Sequence, residues 1–409
     1  MDRARAAVEA GPGGRQRRGG QAGGAGGAGA GERPGGDPQG RQAAARGRGG
    51  VRRSALGGRG VRVLFVFLLN FRNYPRAEVS FGPGLNALVG PNGAGKTNLL
   101  EAVDLAATGR SHRAQREHEV VRFGSEWAIV RARFGGAGRG HTAEVRVARA
   151  GLKQIRVDGV PAGRGDLLGR VVLVASGPED TQVASGPAAG RRRLLDGLLC
   201  QMSPAYYHTL LRYHRVVRQR NQLLRAQAPA QLLEVWDEQL VDLGVRLAER
   251  RAQLVARMAP FTLYWGERLG CGQVEVQYRP SCDPEVEAAR QALRRLRREE
   301  YRRGASLVGP HRDELEVRLD GLAVRSFASR GQQRAVTLAL RLAELEVVRA
   351  ELGEDPVLLL DDVVAELDRE RAQRLLRSLE GGPQVLVTAT DRSDLPGAHA
   401  VSVEEVRVG

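Results

Sequence analysis

Lysine is nearly missing from this sequence: of 63 cationic residues only Lys96 and Lys153 are lysines, and the rest are arginines. Where arginine is written almost everywhere, a group of arginines is weak evidence of function, while a retained lysine marks a place that needs an ammonium. Aromatic residues are thin, at 4%, which argues against base stacking as a main mode of recognition. The three cysteines, Cys200, Cys271 and Cys282, are odd in number and form no CxxC pair. They give neither a disulfide frame nor a zinc site and read as reduced thiols of a cytosolic protein. The longest apolar run, "VLFVFLL" from Val63 to Leu69, is far too short to cross a bilayer.

The chain has 409 residues, room for one large or two moderate domains. Its net charge of +16 points to a polyanionic partner. Half of that excess lies in residues 1–60, a Gly/Ala/Arg-rich stretch with 12 arginines against four acids. Such a stretch has too little apolar content to fold. It reads either as an over-extended start in a G+C-rich genome, with the true start near Val61, or as a basic nucleic-acid-binding tail. A targeting peptide would need an amphipathic pattern that is missing here.

Lys96 lies in "LVGPNGAGKTNLLEAV", Leu88 to Val103. Gly90, Pro91, Asn92, Gly93, Ala94, Gly95, Lys96 and Thr97 match the phosphate-binding pattern G-x-x-x-x-G-K-[ST]. A buried strand (Leu85 to Val89) feeds a glycine-rich loop, and a helix begins near Lys96 with Leu99, Leu100, Val103 and Leu105 on its apolar positions. The glycines let backbone N–H groups turn toward an anion, and the helix start adds partial positive charge. A compact ammonium reaches β- and γ-phosphates where a planar guanidinium is bulkier. Thr97 would ligate Mg²⁺.

Far downstream, "DPVLLLDDVVAELD" (Asp355 to Asp368) has four apolar residues ending in two acids. That suits a buried parallel strand, whose C-terminal end is where an open α/β sheet places ligands. Asp361 would hold Mg²⁺ directly or through water, and Asp362 is placed to activate the attacking water. Before it, "FASRGQQRAVTLALRLAELEVV" (Phe327 to Val348) puts Ser329, Gly331 and Gln332 at a second loop-to-helix entry, a second anion-binding helix start. One nucleotide cradle needs only one such start, so the second is free to complete the site of another copy.

The order P-loop, "SRGQQR", "LLLLDD"-like strand end and "AELD" resembles the ABC-type ATPase head of SMC-like proteins. The segments "LLNFRNYPRAEVSF", "GRSHRAQREHEVVRFG", "RRRLLD", "YHRVVRQRNQLL" and "LVGPHRDELEV" narrow the resemblance to the RecF family of bacterial DNA replication and repair proteins, in order from about Val61 to the C-terminus. The resemblance implies a cytoplasmic, ATP-dependent DNA-binding protein of gap repair, an ATP-induced homodimer, partnership with RecR and RecO in loading RecA, and a role in SOS induction. Two segments depart from the family pattern. "ASGPEDTQV" carries an extra Gly177, and Thr181 in place of a leucine; "VTATD" has Ala389 within what is usually a run of threonines.

The expected fold is α/β: an ABC-type head with a discontinuous lobe I (residues 61–180 with the P-loop and 304–409 with the signature and acidic strand end) and a mainly helical lobe II at 181–303. "WAIVRARF" and "HTAEVRVA" alternate like half-exposed strands, and "VDGV" (Val157 to Val160) marks a hairpin. Helices are expected over Gln231 to Met258 and over Pro284 to Arg303, the latter with proline at its start. The interval is too short for a long coiled-coil arm. Arginines 191–193; Arg212, Arg215, Arg218 and Arg220 near Tyr206, Tyr207 and Tyr213; and Arg294, Arg295, Arg297 and Arg298 form three groups, each readable as a DNA-phosphate contact or as a solvated face. A transporter ATPase subunit is the alternative reading, though it would favour a glutamate at position 362; a metabolic kinase would need an acceptor pocket and no "SRGQQR" helix start. Deleting residues 1–60 should leave ATP-dependent dimerisation intact; loss of DNA affinity in the truncated protein would instead favour the basic tail.

Overall fold

The computed structural model describes residues 60–136, 139–391, 395 and 398–402. Apart from Gly60, the expectation for the N-terminal stretch lies outside the described residues. The centre of the fold is a five-stranded parallel sheet in the order His399–Ser402, Leu85–Val89, Val385–Ala389, Val357–Leu360, Leu173–Ser176. Its members come from both ends of the chain. The inner strands read as unbroken apolar runs because both faces are covered. Leu358, Leu360, Val385 and Val387 enter one core; Val357, Leu359 and Leu386 enter another.

The second of these cores is closed by a six-stranded antiparallel sheet and by the P-loop helix, Lys96–Thr108. Strands Arg62–Phe71 and Trp127–Gly136 pair antiparallel, with a register shift at Val63/Phe65, and bury Val63, Val66, Leu68 and Phe71 of the first against Ala128, Val130, Ala132 and Phe134 of the second in the same core. The predicted hairpin is present: Val157 pairs with Val160 across Asp158 and Gly159, both at positive φ, as an Asp-Gly type I′ turn requires. Buried Gln384 links the sheets, with Nε2 donating to the Val63 carbonyl and Oε1 accepting from Val63 N–H.

The first core packs helices against the other face. Ala188–Met202, Pro204–Arg225, Ala230–Arg268 and Val286–Arg303 lie in the interval read as helical, and a helix over Arg330–Leu352 (the signature helix) packs on the 39-residue Ala230–Arg268. The predicted 231–258 helix therefore continues ten residues further, through Pro260. The last helix starts at Val286, not at Pro284: the Glu285 side chain accepts from Ala288 N–H and caps it. The interval also holds a strand, Val274–Arg279, paired antiparallel with Glu314–Leu319. Its period-two alternation lies between two strong helical patterns and escaped the sequence reading.

The structure corrects part of the arginine reading. Arg220 is fully buried; its guanidinium donates to Asp237 (2.7 Å), Glu300 (2.6 Å) and Ser306 Oγ (2.8 Å). Arg191 is buried in a two-bonded pair with Glu314 and also donates to the Val183 and Gly186 carbonyls. Arg297 pairs with Asp237. Tyr206, Tyr207 and Tyr213 are core residues. Arg191, Arg220 and the three tyrosines are closed to DNA and Arg297 is half-buried, whereas Arg193, Arg212, Arg215, Arg218, Arg294, Arg295 and Arg298 are exposed. Replacing Arg220 with Met should lower the unfolding free energy by about 3–5 kcal/mol, because Glu300 would stay buried without its cation. An unchanged denaturant midpoint would contradict this.

Candidate nucleotide site

The P-loop runs from the end of strand Leu85–Val89 into the helix that starts at Lys96. Gly93 and Gly95 take positive φ (80° and 112°). At Gly95 glycine is required twice over, since a Cβ there would lie within 2.7–2.9 Å of Asn73 and Tyr74 side-chain atoms. Those two residues, from the "FRNY" segment, pin the loop from outside: Asn73 Nδ2 donates to the Ala94 carbonyl and Tyr74 Oη to the Gly95 carbonyl, both at 3.1 Å. Lys96 is buried against the loop, and its Nζ donates to the carbonyls of Gly90 (2.7 Å) and Pro91 (3.1 Å). The other lysine serves the far end of the same helix. Lys153 Nζ donates to the carbonyl of Gly109, the C-cap, and pairs with Glu117, where a cation opposes the negative helix end.

Sheet order brings the distant acids to this loop. Strand Val385–Ala389 lies between Leu85–Val89 and Val357–Leu360, so Asp361 emerges beside Thr97. Thr97 Oγ1 donates to Asp361 Oδ1 at 2.9 Å. Burial pushes the Asp361 carboxyl above its ordinary value, with the Thr97 bond opposing and the neighbouring Asp362 charge adding to the shift. A hydroxyl and a carboxylate side by side at the foot of a phosphate loop are the hard oxygen donors that Mg²⁺ takes. Asp362 turns away through a left-handed conformation, φ 54°.

A third segment flanks the acids. Asp361 N–H donates to the Ser176 carbonyl, and the extra Gly177 lies against Asp361. The following loop is held from two sides: Glu179 accepts from Arg113 Nε at 3.4 Å, and Asp180 accepts from Arg341 of the signature helix at 2.8 Å. Asn73, Tyr74, Arg113, Asp180 and Arg341 were not singled out from the sequence. Each acts by reach across the fold, and the spacing of residues along one chain does not reveal that.

Ser329 N-caps the signature helix in a reciprocal capping box: its Oγ accepts from Gln332 N–H and Gln332 Oε1 accepts from Ser329 N–H. Ser329, Gly331 and Gln332 are all exposed. The structure thus gathers Gly90 to Thr97 with Asp361 and Asp362 in one chain, and presents Ser329, Gly331 and Gln332 outward.

This geometry sits within a family match. The RecF/RecN/SMC N terminal domain matches residues 63–405. The DNA replication and repair protein RecF of Symbiobacterium thermophilum is 42% identical over 341 residues, covering 80% of this chain and 90% of that protein. The chain belongs to the RecF family. RecF of Streptomyces avermitilis is 39% identical over 360 residues, covering 83% of this chain and 96% of that protein. A solved RecF with ATP, of the RecFOR pathway, is 31% identical with a TM-score of 0.77 over 83% of this chain and 94% of its own. The Smc head domain of Pyrococcus furiosus, 16% identical, has a TM-score of 0.52 and shares the fold alone. The chain is therefore a DNA replication and repair protein with an ATPase head, and the transporter alternative falls away. Lys96→Arg should cut affinity for a fluorescent ATP analogue at least about tenfold while the protein stays folded, because reach and point geometry are lost though charge is kept. Wild-type affinity would remove the P-loop assignment.

Proposed function

We propose that this protein is a slow ATP-driven dimerisation switch of DNA gap repair. Residues 90–97 hold ATP, Thr97 and Asp361 hold Mg²⁺, and Asp362 orients the attacking water. A second copy supplies Ser329, Gly331 and Gln332 to the γ-phosphate. The metal, when bound, neutralises phosphate charge and fixes the phosphates' orientation. The observation that carries the reading is the Thr97–Asp361 bond, which joins the phosphate loop to the acidic strand end across 264 positions. The exposed, self-capped start of the signature helix supports the contribution in trans. Capping satisfies the Gln332 N–H and leaves the helix start's first N–H groups facing outward, where an anion from another molecule can meet them.

The DNA partner follows from charge and family. Arg212, Arg215 and Arg218 share one exposed stripe of the helix Pro204–Arg225, and Arg294, Arg295 and Arg298 are exposed on Val286–Arg303. Two copies neutralise more phosphates than one, so the ATP dimer is the DNA-bound form. RecR and RecO are the proposed partners, as the solved RecF's place in the RecFOR pathway supports, and RecA loading with SOS induction is the proposed outcome. No described helix is long and apolar enough to cross a membrane, and the cytoplasm is the proposed compartment.

Asp362→Asn should keep ATP binding and lose most hydrolysis, holding the dimer closed; a variant unable to bind ATP would reverse the roles of the two acids. Subunit mixing tests the composite site. Neither Lys96→Met nor Ser329→Arg alone forms an intact site. A mixed dimer carries both defects at one interface and none at the other, so partial ATPase activity should return. A mixture as inactive as its components, with mixed dimers demonstrably present, would sink the trans arrangement.

A further inference from the structure

Thr388 lies one residue from the end of strand Val385–Ala389, buried between strands Leu85–Val89 and Val357–Leu360. Its hydroxyl meets Asp362 in two ways and also lies in hydrogen-bonding reach of the Asp361 carboxyl. Asp362 N–H donates to Thr388 Oγ1 at 2.7 Å, and Thr388 Oγ1 donates to Asp362 Oδ1 at 3.2 Å. The hydroxyl thus closes a ring through both the backbone and the carboxylate of Asp362. Asp362 is in the left-handed region, φ 54°, which is open to aspartate but uncommon, and which persists where the surroundings over-determine it. A threonine fixed in a sheet, with few χ1 options of its own, is such a constraint.

We infer that Thr388 is a positioning residue that aims the Asp362 carboxylate at the attacking water; this rests on the role proposed above for Asp362. Aspartate is one methylene shorter than the glutamate of transporter heads, so it has less reach with which to correct a misdirected backbone. The left-handed turn sets where the short side chain leaves the chain. The Thr388 hydroxyl holds that turn by accepting from the N–H and holds the carboxylate rotamer by donating to Oδ1. With Ala389 next to it, Thr388 of the "VTATD" segment sets a hydroxyl against Asp362 from the central strand. Valine has the shape of threonine without the hydroxyl, and serine has the hydroxyl without the methyl, so the two separate packing from positioning.

The test uses the full chain with Thr388→Val, Thr388→Ser and Asp362→Asn, measuring kcat, KM, affinity for a fluorescent ATP analogue, and amide exchange at Asp362 without nucleotide. Thr388→Val should lower kcat about tenfold or more with KM and ATP affinity within about threefold of wild type. Its Asp362 amide should exchange faster, and Thr388→Ser should restore kcat to within about threefold of wild type and slow that exchange. Unchanged kcat in Thr388→Val, equal losses of kcat and affinity, or serine no better than valine would each overturn the inference. Should Thr388→Val fail to fold, Thr388→Ala is judged by the same criteria. Asp362→Asn separates the two claims: wild-type kcat there removes the role of Asp362 itself, whereas a low kcat there with an unaffected Thr388→Val removes the role of Thr388 alone.

Discussion

The hydrogen bond between Thr97 and Asp361 depends on a constraint that organises the whole chain: strand Val357–Leu360 must lie within one strand of Leu85–Val89 in a single parallel sheet. Parallel neighbours need crossover connections, and here the connection between these two strands contains most of the protein. Strand Trp127–Gly136 of the antiparallel sheet, the strand Leu173–Ser176 and the helices from Lys96–Thr108 to Arg330–Leu352 sit within that excursion, whereas strand Arg62–Phe71 precedes it. The site is therefore intact only when Leu85–Val89 and the much later Val357–Leu360 and Val385–Ala389 have been laid into the same sheet. Anything that shifts the register of Leu85–Val89 against Val385–Ala389 separates the phosphate loop from its acids.

An almost lysine-free chain has to do with arginine what others share between two cations, and the structure shows the division of labour. Arginine's forked donors suit buried positions where several acceptors converge. Arg220 uses three acceptors, and Arg251 is held by two bonds to Asp196 and one to the Pro310 carbonyl. These residues tie the helices to the loop that follows Arg303. Near the nucleotide, Arg341 joins the signature helix to Asp180, and so to the loop that touches Asp361. The helix that would face another copy's phosphate is thereby wired to the acids of its own site. The two lysines stand at opposite ends of a single helix, one toward the phosphates and one over the last carbonyls.

Local patterns with a fixed period or spacing were legible from sequence: the P-loop, the apolar strand ending in acids, the Asp-Gly hairpin and the capped signature helix each announce themselves within a dozen residues. What escaped depends on long-range contact. Arg220 falls on the buried face of its helix with Tyr213, Val216, Val217 and Leu224, and Arg218 falls on the opposite, exposed side, but the acceptors that let an arginine sit there, Asp237, Glu300 and Ser306, come from distant segments. Strand Val274–Arg279 was hidden because its partner, Glu314–Leu319, lies beyond an intervening helix. The wall residues Asn73 and Tyr74 belong to a segment that carries the family resemblance. Their bonds to the Ala94 and Gly95 carbonyls give that segment a physical purpose.

The site's parts also differ in how firmly they are held, and that bears on how a switch is built from them. Lys96, Asp361 and Asp362 are anchored by a helix start, a strand end and a left-handed turn. Ser329 and Gln332 stand exposed and bond to each other. A capping box keeps the helix start in shape with no phosphate present, so its donors need no reorganisation when one arrives. On the proposed trans arrangement, the first half would bind the nucleotide and the pre-shaped half would then recognise what has been bound. Hydrolysis would remove the γ-phosphate that the second half reads, while the first half would keep its grip on what remains. Binding and release of a second copy would thus be controlled by one phosphate group, without either half having to unfold.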